Sequence, residues 1–467
     1  MSIAAKLFFS TDVEKQTLHR RIIPTDKQQE AQKERWNDLS DYLKEDLFEK
    51  TEYSIKSWLQ GSYKFATQIR PSGPTEEFDI DLGIYFIWEG QPDDGKFNPI
   101  ELKNITQDSL ESYAQESEDE VKEVLTPPKN RCCRIIFSDN FHIDVPVYHL
   151  DENDDVRNLA TEENEWENSD PKALFEWFSN ECKEEQEGLQ IRRMIRYIKM
   201  WSSLTFKEEN RPSSIMITVL MIEAYKKASF ETINDDDLFY ACVNNILERI
   251  DQDRTVLNPV DGKEDINRLS DQDFQVFKEK IEALCDISKR ALKSSTEMDS
   301  AVIWQEAFRH FFPLPEISEK DIKQGSKALS VIEFDPQVEV IAQPENNINR
   351  TYRDINKIGP IPRKCNIHFR IINNNLIPQR SKIEWTVRNE GEEAENKNDL
   401  GHYRGDKIEA TENSAYKGTH YMDLVVKSYF GYPIGFRRIP VTVEGTPFPS
   451  RNPKYKPGYL KIRNKKR

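Results

Sequence analysis

A pair of aspartates inside a strand-forming run constrains this 467-residue chain more than any other feature. Asp79 and Asp81 lie in the run Phe78-Asp-Ile-Asp-Leu-Gly-Ile-Tyr-Phe86, which alternates and is rich in strand formers. Because side chains i and i+2 share one face of a strand, we expect the two carboxylates to lie side by side. Carboxylates held in this way can bind Mg²⁺ together with a phosphorylated ligand.

Gly61 and Ser62 precede this pair, directly after an apolar stretch. A glycine lets the backbone approach a phosphate closely, and the Ser62 hydroxyl and nearby amides can donate to phosphate oxygens. A second Gly-Ser, at 325–326, is followed by no such strand. The other aspartate clusters, at 235–237, 251–253 and 271–273, lie in polar stretches and are predicted to be solvated surface. Only residues 61–81 contain a Gly-Ser pair followed by a pair of carboxylates in a predicted strand.

Asp144 is the candidate for a third carboxylate. It interrupts the apolar strand Phe141-His-Ile-Asp-Val-Pro-Val-Tyr148, and the run 132–137 with turn residues at 138–140 predicts a hairpin with that strand. A charge in such a strand is usually paired or bound to metal, although a capped edge-strand aspartate is an alternative. Since two metal ions need a shared clamp, we interpret the three aspartates as the catalytic and metal-binding residues of a nucleotidyltransferase. The expected metal is Mg²⁺, as two ions, with Mn²⁺ as the substitute.

The run Gln60-Gly-Ser-Tyr-Lys-Phe-Ala-Thr67 resembles the dinucleotide-cyclase branch of the bacterial cyclic-oligonucleotide synthases (CD-NTases, SMODS type). The resemblance implies an α+β fold, with a polymerase β-like nucleotidyltransferase sheet core and a helical lobe. It also implies that Gln60 and Ser62, which flank Gly61, contact the nucleotide. Phe65 occupies the position of a base-stacking aromatic residue, where phenylalanine keeps the stacking and loses the hydroxyl contact of the expected tyrosine.

A second element is the apolar-periodic segment 189–201 followed by Arg211-Pro-Ser-Ser-Ile215, which resembles the same family. In the family a lysine and a serine of this element hold the triphosphate. They correspond to Lys199 and Ser213, with Ser214 as the adjacent alternative. From the residues alone, Ser213 fits a helix N-cap whose free amides favour phosphate, whereas Lys199 is equally compatible with an ordinary surface lysine.

The pattern of elements predicts three domains. A catalytic core is expected over 1–165, a helical lobe over 166–330 and a β-rich C-terminal domain over 345–467. More locally, the expectations are a helix over 25–60, a sheet over about 61–150 with a helix at 101–125, an exposed acidic loop at 151–170, helices from Asp170-Pro171 to about 325, and an irregular linker at 326–360.

Short strands with turn signals from Lys364 onward predict a small β-sandwich. The segments Ile383-Glu-Trp-Thr-Val-Arg-Asn-Glu-Gly391 and Tyr416-Lys-Gly-Thr-His420 resemble the sensor domain found at the C-terminus of adenylyl/guanylyl cyclases and these synthases (AGS-C). We therefore expect the C-terminal domain to tune or trigger activity and not to catalyse it.

Charge is unevenly distributed along the chain. Residues 345–467 hold 24 Lys and Arg against 13 Asp and Glu, whereas residues 1–344 carry a net charge of −27. An acidic body is a poor nonspecific binder of nucleic acid. A basic C-terminal domain is suited either to docking on that acidic body or to sensing an anionic ligand such as a nucleotide or RNA. No apolar run of 18 residues and no basic-then-apolar leader are present, so we expect a cytoplasmic location without a membrane partner.

The combined expectation is a bacterial antiphage (CBASS) signalling enzyme. It would condense nucleoside triphosphates, ATP and a second one, into a cyclic di- or trinucleotide that activates a separate effector. One alternative is a linear or RNA-tailing nucleotidyltransferase, which needs a basic groove on the catalytic body. The other is an inactive scaffold with a ligand-binding C-terminal domain. The seven histidines suggest neither a general base nor a metal set.

Overall fold

The computed structural model describes residues 3–138, 140–228, 234–315, 334–345 and 350–444. Contacts divide the chain into unit 1, residues 1–318, and unit 2, residues 319–467. Unit 1 combines helices with a large mixed sheet, and unit 2 contains two smaller sheets. The predicted α+β class is therefore confirmed, whereas the predicted division near residue 165 stays a prediction.

The described residues of unit 1 contain eleven α-helices. They are α1 Ala5–Phe8, α2 Leu18–Ile22, α3 Asp26–Thr51, α4 Gly61–Lys64, α5 Pro99–Glu116, α6 Pro171–Glu181, α7 Glu185–Thr205, α8 Ser214–Lys227, α9 Asp235–Gln252, α10 Asp271–Leu292 and α11 Glu297–Phe308. The strands of unit 1 are β1 Ser54–Gln60, β2 Phe78–Ile87, β3 Val121–Val124, β4 Cys133–Phe137, β5 Phe141–Val145, β6 Val147–Asp151, β7 Val156–Ala160 and β8 Trp166–Asn168.

Strand β2 organises the sheet of unit 1, whose order is β3-β4-β5-β2-β6-β7-β8 with β1 also paired to β2. β2 runs antiparallel to β1 and parallel to β5 and then to β6. Its alternate residues Ile80 and Ile84 are fully buried in a core shared with Leu43 of α3 and Leu102 of α5. Because strand side chains alternate, the opposite face of β2 carries the two aspartates.

The predicted helix over 25–60 is wrong in its last quarter, because it ends at Thr51. Helix α3 begins at a capping box formed by Thr25 and Gln28, and it ends where Glu52 adopts a left-handed φ of 62°. The following residues form β1, which is hydrogen-bonded to β2 over seven residue pairs. Pairing with β2, and not local propensity, therefore decides the conformation of 54–60.

The predicted acidic loop at 151–170 is also wrong, because β7 and β8 lie within it. Leu159 and Ala160 are buried, and the buried Arg157 side chain binds the carboxylates of Asp155 and Asp170. These ion pairs explain why an acidic stretch can fold against the sheet. Asp170 caps α6 and Pro171 occupies its first turn, as predicted. The helix predicted at 101–125 ends at Glu116, and β3 follows it.

Two of the aspartates predicted to be solvated are buried. Asp235 and Asp236 are 4% and 0% exposed at the start of α9. The Asp235 carboxylate accepts two hydrogen bonds from the Arg193 guanidinium, at 2.6 and 2.8 Å, and one from the Tyr197 hydroxyl at 2.8 Å. A charge can be buried here because α7 supplies a matched cation and donor.

Unit 2 is a two-sheet sandwich, in agreement with the predicted β-sandwich. Its strands are β9 Val338–Pro344, β10 Tyr352–Ile355, β11 Ile358–Ile361, β12 Cys365–Ile371, β13 Lys382–Arg388, β14 Gly401–Gly405, β15 Glu409–Asn413, β16 Gly418–Lys427 and β17 Pro433–Val443, with the short helix α12 Glu392–Asn396. One sheet has the order β10-β9-β12-β15, and the other β11-β17-β16-β13-β14. Both bury side chains in one core around Trp385, which is 0% exposed.

The predicted linker at 326–360 is wrong from Val338 onward, because β9 pairs with β12 over seven residues and β10 pairs with β9. A boundary at residue 345 would separate β9 from its own sheet. Residues 316–333, which include the second Gly-Ser, and 346–349 lie outside the described part of the chain. Within the described residues, no helix combines the length and the apolar character that a membrane crossing needs.

We predict that Asp235→Ala lowers the free energy of unfolding by about 3–5 kcal/mol, because it leaves the Arg193 charge without its buried partner. The measurement is urea denaturation followed by far-UV circular dichroism. Asp251→Ala is the matched control, since its carboxylate forms an exposed ion pair with Lys278 and should cost about 0–1 kcal/mol. Equal losses in both variants would contradict the structural role of Asp235.

Candidate active site

The three predicted catalytic aspartates lie together on one face of the sheet. In the parallel pairing of β2 with β5, Asp81 is opposite Asp144 and Asp79 is opposite His142. Paired residues of neighbouring strands point to the same face of a sheet. Asp144 of β5 therefore lies on the face that carries Asp79 and Asp81 of β2. No loop has to move to bring them together.

The three carboxylates have different electrostatic surroundings. Burial, together with the neighbouring charges of Asp79 and Asp144, raises the pKa of Asp81 well above its ordinary value. Burial also acts to raise the pKa of Asp79. A hydrogen bond from His142 and the positive charges nearby outweigh it, so that the pKa of Asp79 is lowered. Ionisation therefore costs more at Asp81 than at Asp79.

Asp144 is held by a guanidinium. Arg134 lies directly opposite it on β4, and its Nε and Nη2 donate to the two carboxylate oxygens at 2.5 and 2.7 Å. Lys129 Nζ lies 3.6 Å from Asp144 Oδ2. This bidentate pair accounts for an ionised aspartate in an otherwise apolar strand.

His142 joins this cluster through both ring nitrogens. Its Nε2 lies 3.0 Å from Asp79 Oδ1 and its Nδ1 lies 3.1 Å from Glu77 Oε2. The possible ligand atoms of Asp79, His142 and Asp144 all lie within 4.8 Å of one another. His142 therefore belongs to a group that offers ligand atoms for a metal ion, which the sequence analysis did not expect of any histidine.

The aspartate cluster fits a divalent cation. Carboxylate oxygens are the ligands that Mg²⁺ and Mn²⁺ prefer, and a cation would relieve the repulsion that raises the Asp81 pKa. Asp79, His142 and Asp144 offer ligand atoms that lie within 4.8 Å of one another, and Asp81 lies opposite Asp144 in the pairing of β2 with β5. His142 also contacts Asp79 and can orient its carboxylate.

A cavity of about 140 Å³ adjoins the aspartates. Gly61 lines it with a left-handed φ of 60°, and a Cβ at this position would lie 2.0 Å from Asp81 Oδ2. Only glycine therefore allows the backbone this close to the carboxylate. The other residues that line the cavity include Ser62, Phe65, Thr67, Lys199 and Ser214.

Gln60 is placed differently from the expectation that it contacts the nucleotide. Its side chain is 8% exposed, its Nε2 donates to the Tyr85 hydroxyl at 2.8 Å, and its Oε1 accepts from the Tyr148 hydroxyl at 3.2 Å. Gly83 leaves room for this amide, since a Cβ there would lie 2.1 Å from it. Gln60 thus supports the strand that leads into Gly61.

Phe65 is also mostly buried, at 6% exposure. Its ring stacks on Phe178 of α6 with centroids 4.5 Å apart and an angle of 8° between the planes. Phe65 also lines the cavity, so one side of its ring packs against Phe178 and another part of the residue faces the cavity. This arrangement is compatible with the predicted contact to a base.

Lys199 lies on α7 and is 6% exposed, so it is not an ordinary surface lysine. Its Nζ donates to the carbonyl oxygen of Thr67 at 3.3 Å. Burial lowers the pKa of Lys199 to about 8, although the nearby charges of Asp79 and Asp81 act in the opposite direction. The ammonium group therefore lies beside the carboxylates with a weak bond that an incoming anion can replace.

Ser213 and Ser214 have separate positions at the beginning of α8. The Ser213 hydroxyl accepts from the Met216 amide and caps the helix, as predicted. Ser214 is exposed and lines the cavity, whereas Ser213 does not. Ser214 is therefore the serine of this pair that can reach a ligand.

The family comparison agrees with this geometry. A family described as "Cyclic GMP-AMP synthase DncV-like, nucleotidyltransferase domain" matches residues 55–148, and "Adenylyl/Guanylyl and SMODS C-terminal sensor domain" (AGS-C) matches residues 318–444. Residues 55–148 are thus similar to a DncV-like nucleotidyltransferase domain, and residues 318–444 to an AGS-C domain. The first match contains all three aspartates and the Gly-Ser turn.

Curated relatives match different fractions of this chain in sequence. A cyclic GMP-AMP synthase of Escherichia albertii is 28% identical over 445 residues, which covers 94% of this chain and 96% of the relative. A c-di-GMP synthase of Roseivirga ehrenbergii is 26% identical over 203 residues, 38% of this chain and 50% of the relative. The crystal structure of Vibrio cholerae DncV with the linear intermediate 5′ pppA(3′,5′)pG superposes with a TM-score of 0.57 at 18% identity. That superposition covers 67% of this chain and 98% of the other, and it shows the shared fold.

Two members of the site in this DncV-like enzyme escaped the sequence analysis. His142 precedes Asp144 by two residues, so the shared strand face was a usable signal, but its partner Glu77 is 65 residues away in the chain. Arg134 lies opposite Asp144 in the hairpin, and the register of that hairpin was the signal that could have found it.

We predict that Asp81→Asn abolishes nucleotide incorporation by this DncV-like enzyme while its thermal midpoint stays equal to or above that of the wild type. The substitution removes one of three crowded negative charges. Asp144→Asn is the matched comparison and should lose about 1.5–3 kcal/mol of stability, because it breaks the bidentate bond to Arg134. Retained turnover in folded Asp81→Asn, or equal destabilisation of both variants, would refute this assignment.

We also predict that triphosphate affinity falls as pH rises through the pKa of Lys199. The ammonium is charged below about pH 8 and neutral above it, so the dissociation constant of a nonhydrolysable triphosphate should rise about tenfold between pH 7 and pH 9. The check is calorimetric titration at each pH. In Lys199→Arg this pH dependence should disappear, because a guanidinium stays charged throughout. A wild-type affinity that does not change with pH would place Lys199 outside the phosphate site.

Proposed function

We propose that this nucleotidyltransferase condenses ATP and a second nucleoside triphosphate into a cyclic di- or trinucleotide, with release of pyrophosphate at each step. The observation that carries the proposal is the β2–β5 register, which sets three carboxylates on one face. Two of them, Asp79 and Asp81, line the cavity. Condensation of triphosphates needs this combination of an acidic metal cluster and neighbouring phosphate donors.

In this proposal Asp79, Asp81 and Asp144 hold two Mg²⁺ ions, for which Mn²⁺ can substitute. The bound ions would supply charge neutralisation at the phosphates and a lowered pKa for the attacking hydroxyl. The protein's own contribution is positioning, which the rigid strand pair provides without a loop movement.

The phosphate and base contacts are assigned from the cavity lining. Ser62, Lys199 and Ser214 bind the triphosphate, and the amides at the beginning of α8 add donors that Ser213 leaves free. Gly61 provides the close backbone approach. Phe65, backed by Phe178, packs against a base, whereas Gln60 acts through its tyrosine partners.

The relatives support a cyclic product reached in two steps. The curated relatives are named as synthases of cyclic GMP-AMP and c-di-GMP. Structures of Vibrio cholerae DncV hold ATP with GTP, or a linear pppApG intermediate. A first condensation to a linear intermediate followed by ring closure in the same cavity is consistent with both findings.

We further propose that the enzyme acts in the cytoplasm in antiphage (CBASS) signalling, that its product activates a separate effector, and that the AGS-C domain senses an anionic ligand. All proposed catalytic residues belong to unit 1, which leaves unit 2 free for regulation. Residues 350–444 carry 16 Lys and Arg against 12 Asp and Glu. The rest of the basic excess, eight residues, falls in 451–467 outside the described residues, so the tail would supply most of the charge for that ligand.

The test is a product assay on the full chain with Mg²⁺ and each pair of nucleoside triphosphates. Products are treated with phosphatase and identified by mass spectrometry. A cyclic product has no terminal phosphate and should keep its mass, whereas a linear one should lose its terminal phosphates. Asp81→Asn is the control and should give no product. Linear products alone would indicate a tailing enzyme, and no pyrophosphate release from any mixture would indicate a scaffold.

A further inference from the structure

Three loops lie together at one end of unit 2. They are residues 372–381 between β12 and β13, residues 406–408 between β14 and β15, and residues 428–432 between β16 and β17. The registers of β13 with β14 and β16, and of β12 with β15, bring all three connections to the same end of the sandwich. We call these residues the loop end. None of the proposed catalytic residues belongs to it.

The loop at 428–432 exposes three aromatic side chains. The exposed fractions are 64% for Tyr429, 77% for Phe430 and 51% for Tyr432. Ser428 fixes the loop, because its amide donates to the Tyr432 carbonyl oxygen at 2.7 Å. The guanidinium of Arg380, from the neighbouring loop, lies 6.0 Å from the centroid of the Tyr429 ring. Rings that a fixed loop holds in water are available to stack on a flat partner, and an exposed patch of this kind indicates an interaction site.

A groove of about 840 Å³ is lined by the other two loops. Its apolar lining includes Ile372 and Ile408, which are 45% and 41% exposed, and Lys407 adds an ammonium group. The loop that carries Lys407 is held in place from the core, where the indole nitrogen of Trp385 donates to the Lys407 carbonyl oxygen at 2.8 Å. Ligand sites generally combine an apolar lining with a few polar groups, in volumes of about 300–1,000 Å³.

Cations without a carboxylate partner surround these groups. Arg380, Lys382 and Lys407 are exposed, and their side chains form no ion pair or hydrogen bond with the described residues. The acidic residues that line the groove are Asp406 and Glu409, and Glu409 already contacts a histidine at 3.2 Å. Positive charge that is not neutralised within the domain therefore favours an anionic ligand at the loop end.

We propose that the loop end binds single-stranded nucleic acid. Bases stack on Phe430 and Tyr432, a further base enters the groove, and phosphates lie beside Arg380, Lys382 and Lys407. Exposed aromatic rings with cations between them suit a single strand, because every base has a flat face and every nucleotide carries a negative charge. The inference deepens the anionic-ligand sensing proposed for the AGS-C domain, since it names the class of ligand and its site.

A lipid surface is the alternative partner for loops with aromatic and basic side chains. The loop at 372–381 argues against it, because the exposed amide side chains of Asn374, Asn375 and Gln379 lie among the apolar groups. Insertion into a bilayer would remove water from these amides without offering partners, whereas base edges offer both donors and acceptors. The concave groove is also better suited to a single base than to a flat membrane surface.

The experiment is fluorescence anisotropy of a labelled oligouridine of about 12 nucleotides, titrated with the full chain in the absence of nucleoside triphosphates. We expect Phe430→Ala and Tyr432→Ala each to raise the dissociation constant about fivefold or more, because one stacked base is lost. Phe430→Tyr should bind like the wild type, since it keeps the ring. Phe48→Ala is the matched control, because Phe48 is 55% exposed on α3 in unit 1 and should leave binding unchanged.

Salt dependence separates the role of the cations from that of the rings. Arg380→Gln and Lys407→Gln should each reduce the steepness of log affinity against log salt concentration by about 0.7, because each removes one phosphate contact. The aromatic variants should keep the wild-type steepness, since stacking releases no counterions. A merely structural role for the loops would not divide the variants in this way.

Unchanged oligouridine binding in both aromatic variants would overturn the proposal and assign any binding to the basic residues of 451–467. Binding to vesicles of phosphatidylcholine and phosphatidylglycerol that Phe430→Ala abolishes, without binding of oligouridine, would overturn it in favour of a lipid surface. The thermal midpoints of the variants should equal that of the wild type, because the substituted side chains are exposed. No turnover is needed, so a cyclic product without oligouridine binding refutes only the loop end, whereas linear products alone refute cyclisation without affecting it.

Discussion

Three carboxylates on one face of a parallel strand pair repel one another, and much of the surrounding structure balances that repulsion. Asp144 is neutralised by the bidentate Arg134, and Asp79 is bonded to His142. Asp81 has no hydrogen bond or ion pair with the described residues, and its raised pKa reflects this. The repulsion is thus not balanced at Asp81, and a bound cation would gain the most electrostatic free energy beside that carboxylate. A fully neutralised cluster would hold its shape equally well but would have little affinity for metal.

Helix α7 connects this cluster to the turn that carries the phosphate contacts. Arg192, Arg196 and Lys199 follow one another at helical spacing, and they donate to the carbonyl oxygens of residues 65, 66 and 67 in the same order. The Arg196 bond is 2.6 Å long, whereas the Lys199 bond is 3.3 Å. The Arg192 bond, at 3.2 Å, is nearly as long as that of Lys199. Arg196 is therefore the firmest anchor of the turn, and Lys199 is the member of the series that lines the cavity beside the aspartates. Burial lowers the pKa of Arg196 only to about 10, so this anchor stays charged at physiological pH.

Local patterns in the sequence identified the parts of the site whose geometry is local. The alternation around Asp79 and Asp81, the turn at Gly61 and the cap at Ser213 are each set within a few residues, and the structure contains them as predicted. The misplaced features depend on distant partners. Strand β1 forms because it pairs with β2. Asp235 can be buried because it binds Arg193, which lies 42 residues earlier in the chain. The nucleotide contact of Gln60 was expected from the family resemblance, and nothing local in the sequence indicates the two tyrosines that bind its amide. Single-sequence patterns do not contain such pairings, since they are decided by tertiary packing.

The net charge of the chain does not describe the local electrostatic environment of a ligand at this site. Residues 1–344 carry a charge of −27, yet Lys199 lines the cavity beside the aspartates and Arg134 binds Asp144. A neighbouring cavity, which Lys199 also lines, contains Arg70 and Arg211. Exposed charges are screened over about 8–10 Å at physiological ionic strength, so a ligand as small as a triphosphate responds mainly to these nearby cations. A long polyanion must also lie along the acidic exterior, where each further phosphate is repelled. The same distribution of charge therefore admits mononucleotides and short intermediates while it disfavours an extended nucleic acid.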